Sequence, residues 1–279
     1  MNIETSLNAP RGRAPLASGA LVLLGLACAA PAMAAGDDAP LCTDRPTKSN
    51  AVCTVPAGDW QVEADVTSYT RDTQPATRTE TFAFANTGLK YGLSDNTDLQ
   101  LYWSPQVEVR TLDRTDGAMS RLSGGGDATL RLKTRFYEGP SVSVAVIPFV
   151  KMPTAADGLG NDKWEGGVAL PISLSLPRGF TLLLGPELDA LADSDGSGTH
   201  LGVTNLVNLS HALTPRLGVA VELWSSVNKD PAGTIRQASA DVAVSYLLAP
   251  KFQIDLGANF GLNDRTPDVQ GYVGFAHRF

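Results

Sequence analysis

Long apolar runs are missing from this chain beyond its first thirty-odd residues. A membrane-spanning helix needs about 20 predominantly apolar residues in succession, so a helical membrane protein is excluded. Basic charge is also in deficit. Lys and Arg number 22 against 29 Asp and Glu, a net charge of −7, and a nucleic-acid partner therefore has no basic footprint. Histidine is limited to His200, His211 and His277, and none has a Ser or Asp visibly placed to form a nucleophile and base pair. The chain is not expected to be an enzyme, and no cofactor or metal is expected. The glycine-rich Ser123-Gly124-Gly125-Gly126 precedes a strand pattern rather than a helix, so it reads as a loop end and not as a phosphate cradle. Asp157, Asp193 and Asp195 fall in polar connections and read as solvated carboxylates rather than calcium ligands.

What is present begins with an export signal over residues 1–34. Arg11 and Arg13 precede a largely apolar stretch at 16–30, and Ala32-Met33-Ala34 is a small-residue cleavage site, so the mature chain begins near Ala35. Gly25, where a lipoprotein signal favours Leu, argues against lipidation of Cys28. Cleavage leaves Cys42 and Cys53. In an oxidising periplasm a pair so close in sequence forms a disulfide that pins the amino-terminal segment, and a zinc pair is disfavoured because no histidine lies near. Residues 35–57 have no sustained period and read as a periplasmic tail or small plug.

From residue 58 to 279 the dominant signal is a period of two, the mark of half-buried strands. Near 128–136, Ala128, Leu130, Leu132, Thr134 and Phe136 oppose Asp127, Thr129, Arg131, Lys133 and Arg135. Near 252–260, Phe252, Ile254, Leu256, Ala258 and Phe260 oppose Gln253, Asp255 and Asn259. Near 201–209 the pattern weakens, because Asn205 falls on the apolar face. Some twelve such segments are predicted, an even number as bacterial single-chain barrels require.

Connections alternate between short turns, such as Ala249-Pro250-Lys251, and longer polar ones at 70–79, 111–125, 153–163, 192–199, 228–233 and 263–268. That is the turn-and-loop pattern of an outer-membrane barrel, and a Greek-key sandwich has no reason to show it. Trp60, Tyr91, Phe136, Phe180, Tyr246, Phe252 and Phe279 fall at the strand ends beside the short turns, as an interfacial girdle would. The chain ends on Phe279, in the manner of strands read by the outer-membrane assembly machinery. The fold class expected is therefore all-β: a transmembrane antiparallel up-and-down barrel of about twelve strands, in lipid of the outer membrane of a Gram-negative bacterium.

With the apolar face toward lipid, the polar face lines the lumen, since a charge facing mid-bilayer costs about 2–4 kcal/mol. Arg131, Lys133 and Arg135 form a basic ladder there with Lys151 nearby, while Glu63, Asp65, Glu187, Asp189, Glu222, Asp241 and Asp255 are spread round the rest of the wall. Two readings follow. The charges set a transverse field across a solute path, or they pair with one another, or with Glu108, and fill the interior.

Thr43-Asp44-Arg45-Pro46, followed by residues 54–63 in the run TVPAGDWQVE, resembles the opening signature of outer-membrane proteins named for the meta-cleavage pathway of phenol degradation. The resemblance extends through Tyr91-Gly92-Leu93, Gly126-Asp127, residues 246–256 and Arg278-Phe279. It implies a barrel of this size that takes up small aromatic or other hydrophobic solutes, and it carries no site residues. Cys42 and Cys53 are outside the family pattern. A narrow channel for small polar solutes and a plugged structural or surface barrel stand as alternatives.

Overall fold

A chain whose alternate residues are apolar can bury them only by turning one face to lipid, and it must then leave no strand edge unpaired. The computed structural model describes residues 39–279 and resolves that demand into a closed barrel of twelve strands. The export signal expected over 1–34 lies outside the described residues. The first two strands are Trp60–Thr73 and Thr77–Ser94. The third is built from Thr97–Trp103 and Gln106–Asp113, and the fourth from Met119–Gly124 and Ala128–Glu138. Val142–Met152 is the fifth. Glu165–Ala169 with Ile172–Ser175 makes the sixth, and Phe180–Leu184 with Glu187–Ala192 the seventh. Thr199–Ala212, Leu217–Asp230, Gly233–Ala249, Phe252–Gly261 and Val269–Arg278 complete the wall. Each strand pairs antiparallel with its neighbours in sequence, and the first also pairs with the twelfth, placing Gln61 opposite both Lys90 and Arg278.

Burial is inverted relative to a water-soluble protein. Leu223 and Leu256 are 60% and 58% exposed, whereas Lys133 and Arg278 are 0% and 1% exposed. Among the described residues no helix is long and apolar enough to cross a membrane, and strands do the crossing. The girdle forms at the short-turn end, where Trp60 packs on Tyr91 with ring centroids 4.7 Å apart and His277 packs edge-on against Phe279 at 4.5 Å. Asn205 does lie on the outer face, directly before the inward Leu206.

Three expectations need correction. The connections at 70–79, 111–125 and 228–233 are not long loops: strand pairing continues to Thr73 and Thr77, to Leu112 and Met119, and to Asp230 and Gly233. Above the bilayer both faces meet water, so a strand there loses its apolar stripe without losing its ladder. The glycine-rich run at 123–126 is a break inside the fourth strand, where Gly126 N–H donates to Ser104 O at 2.8 Å across the matching break in the third. That break at Ser104-Pro105 also exchanges faces. Glu108, expected in the lumen, stands opposite Phe82 on the face that carries the exposed Phe84, and it pairs there with Arg110 and Arg121, both at 2.5 Å.

The segment before the first strand crosses the second at Gly92. Gly58 N–H donates to Gly92 O at 2.9 Å and Gly92 N–H to Asp59 O at 3.0 Å, so closely that a Cβ on Gly92 would overlap the carbonyl of Pro56. Gly92→Ala is expected to cost about 1–3 kcal/mol, the usual range for overpacking. A lowered melting temperature of the refolded barrel reads it out, and an unchanged one would show that this crossing can shift freely.

Candidate functional site

Cys42 and Cys53 are joined by a disulfide with sulfurs 2.11 Å apart, closing residues 42–53 into a ring. The ring lies across the lumen, and its charges match the wall on each side. Asp44 faces the basic side: Lys133 Nζ donates to Oδ1 at 2.5 Å and Lys90 Nζ to Oδ2 at 2.6 Å. Both lysine side chains are 1% exposed. The neighbouring Arg45 points to the acidic side, where it bonds Asp65 at 2.6 Å and Asp255 at 2.7 Å. Lys48 reaches Asp241 at 2.8 Å and lies 4.7 Å from the ring centroid of Trp224. Backbone donors finish the attachment. Lys48 and Ser49 N–H both donate to Glu222 at 3.1 Å, Asp44 N–H to Glu63 at 3.1 Å, and Val55 N–H to Asp98 at 2.9 Å. Asn50 accepts from Arg131, whose guanidinium also lies 5.0 Å from the ring centroid of Tyr102.

The structure thus gathers Glu63, Asp65, Arg131, Lys133, Glu222, Asp241 and Asp255 about one ring. The remaining expected residues stand elsewhere. Arg135 turns to Glu138 at 3.2 Å and to the Asp95 carbonyl near the short turns. Lys151 pairs with Glu165 at 2.9 Å and Asp127 at 3.1 Å toward the opposite end. Glu187 and Asp189 occupy the upper half of the seventh strand, opposite Ala169 and Gly167. The alternation sets which way each wall residue points, but it assigns no lumen role to Asp44, Arg45 and Lys48, because the tail they occupy has no period. Asp44 and Arg45 stand in the opening family signature, and the further signal is charge of both signs in an otherwise neutral segment flanked by cysteines.

Space remains beside the ring. A cavity of about 350 Å³ is lined by Thr43, Pro46, Ser143, Ser173, Thr181, Ser210 and Ala220 among others. Its neighbour of about 330 Å³ shares Arg45, Pro46, Thr181, Ser210 and Ala220 with it. A third, of about 840 Å³, shares Ala212, Gly218 and Ser245 with the second and runs to the turns at 213–216 and 249–251. On another side of the ring, a space of about 220 Å³ is lined by Tyr102, Arg131, Asn259 and Tyr272.

The histidines are engaged locally: His200 with Asp193 at 2.8 Å, His211 with Gly179 O at 3.1 Å and His277 with Lys251 O at 3.0 Å. Asp195 turns back on its own loop, where the Ser197 backbone N–H holds its carboxyl below the usual value. Among the described residues no group of three or more His, Cys, Asp or Glu is placed to hold a metal ion.

A closed, even-stranded antiparallel barrel with lipid-facing leucines and a charged, solvent-shielded interior defines an outer-membrane barrel of the Gram-negative type. Residues 43–279 match the family described as "Putative MetA-pathway of phenol degradation", and the chain belongs to that family. Among solved structures it is similar to an outer membrane channel from Pseudomonas putida F1, with a TM-score of 0.65 and 14% identity over 82% of this chain and 98% of that one. It is also similar to the translocator domain of the autotransporter NalP from Neisseria meningitidis, at a TM-score of 0.51 and 13% identity over 81% and 90% of the two chains. The β domain of the Bordetella autotransporter BrkA gives 0.51 and 13%, over 81% and 100%. At these identities the likeness is one of fold. No curated protein matches the chain by sequence.

Proposed function

We propose that this protein is a passive outer-membrane channel for small hydrophobic or aromatic compounds, narrowed by the Cys42–Cys53 ring acting as a plug. The observation that carries the reading is the series of cavities beside the ring, about 350, 330 and 840 Å³, whose linings overlap down to the short-turn end. The ring narrows the lumen without filling it. Membership of a family described by phenol degradation supports aromatic solutes, and the P. putida likeness supports a barrel able to serve as a channel. The locally engaged histidines suit transport without covalent chemistry. The last strand, ending on Phe279, is the segment the assembly machinery would read.

Seven of the charges expected to steer a polar solute, Arg131 and Lys133 among them, are instead tied to the ring, which disfavours a polar channel. Liposomes carrying the refolded mature protein are expected to take up a small aromatic, above passive leak, and not a small sugar. Sugar influx that falls when Arg131, Lys133 and Arg135 are neutralised would replace this reading with a polar channel. Flux of neither solute would leave a plugged structural barrel.

A further inference from the structure

We infer that solutes pass the ring along an uncharged arc of small residues on the fifth to tenth strands, and that this arc admits neutral molecules and rejects ions. The inference rests on the channel reading above and names the path and the selectivity within it.

The ring's ion pairs reach the first, second, fourth, tenth and eleventh strands, through Asp65, Lys90, Lys133, Asp241 and Asp255. The two cavities beside the ring lie against the fifth to ninth strands and against the tenth on the short-turn side of Asp241. Their walls carry Ser143, Ser173, Thr181, Ser210, Ala220 and Ala243, side chains of a few atoms each. Ala220 and Ala243 are direct cross-strand partners, so two methyl groups stand side by side where longer side chains would close the space. In the middle cavity the one charged lining residue is Arg45, and its guanidinium is already bonded to Asp65 and Asp255. In the cavity beside it Asp44 is held by Lys90 and Lys133, and Arg135 by Glu138. In these two cavities a molecule meets chiefly hydroxyls and methyls, and the charges that line them, Asp44, Arg45, Arg135 and Glu138, are paired; Arg216 and Lys251 stand beyond them at the short-turn mouth.

An ion on this path would shed hydration without gaining a partner, which is the costly case. A neutral solute loses little and finds hydroxyl groups for its few polar atoms. The ladder residues expected to form the solute path therefore select by being occupied, and the side chains that set passage are the small ones opposite them.

Two kinds of variant test this in liposomes, with the disulfide intact. Ala220→Cys is treated with a neutral methanethiosulfonate and with anionic and cationic ones of similar size. The neutral reagent is expected to react about tenfold faster than either charged one, as desolvation without a counter-charge requires, and the modification is expected to lower aromatic uptake. Ala243→Trp is expected to abolish uptake, whereas Val221→Trp, on the lipid face, leaves it unchanged. Equal labelling rates for all three reagents would overturn ion rejection. A folded Ala243→Trp barrel that still takes up the aromatic at the wild-type rate would place the path elsewhere and leave the channel reading standing. If the tryptophan variant does not fold, the labelled cysteine barrel decides the path alone. A wild-type barrel that passes no aromatic overturns the channel reading, and this inference with it.

Discussion

Replacing Asp44 with alanine is expected to release the ring from the basic side of the wall and to raise ionic conductance through the barrel several-fold. The carboxylate is the meeting point of Lys133 at 2.5 Å, Lys90 at 2.6 Å and the Ala51 N–H at 2.7 Å. Alanine would leave Lys90 with Glu63 at 2.6 Å but would remove the carboxylate that Lys133 is bonded to. Breaking one side of a buried pair costs about 3–5 kcal/mol because the surviving charge stays buried and unmatched. The ring has a cheaper response, which is to move and let lumen water reach Lys133. Its attachments on the acidic side, through Arg45 and Lys48, would then hold it by one edge. Single-channel recordings in planar bilayers read the change as a larger step conductance, and Asp44→Glu is expected to lie between the two. A conductance and melting temperature equal to wild type in Asp44→Ala would show that the ring stays in place without this anchor.

The disulfide is the second lever. It closes residues 42–53, and cross-links over loops of this length contribute about 2–4 kcal/mol, chiefly by limiting the alternatives open to the free chain. Here those alternatives are conformations in which Asp44, Arg45 and Lys48 no longer present opposite signs to opposite walls. Reduction, or the double change Cys42→Ser with Cys53→Ser, is expected to leave the strand ladder intact and loosen the ring. Conductance should then rise and become strongly dependent on ionic strength, because the freed ladder charges are screened by salt. The double serine variant should be indifferent to dithiothreitol. If reduction alters neither conductance nor its salt dependence in the wild type, the ion pairs alone hold the ring.

The wall was legible in the sequence because a barrel repeats one local rule. Residues such as Leu130 and Lys133 announce their faces by parity alone, and those of the closing strand do the same. Parity fails where the backbone is interrupted. Pro105 cannot donate to the ladder, and the strand resumes past it with Glu108 on the other face. Ala85, at φ 52°, sits beside the same disturbance in the second strand. The site was legible only in outline. Parity places Asp255 in the lumen but cannot show that its partner is Arg45, 210 residues away, because contacts across a lumen obey no local period.

The last strand and the segment before the first strand meet in one joint. Phe279 N–H donates to Trp60 O at 2.8 Å, closing the seam between the last and first strands. Arg278, one residue earlier, holds the carbonyls of Ala39 and Pro40 at 2.5 and 3.1 Å and lies 3.4 Å from Asp59. Wall and lumen are therefore mechanically coupled at this point: a change that removes the Arg278 guanidinium would loosen both the seam of the barrel and the fastening of the segment that leads into the ring.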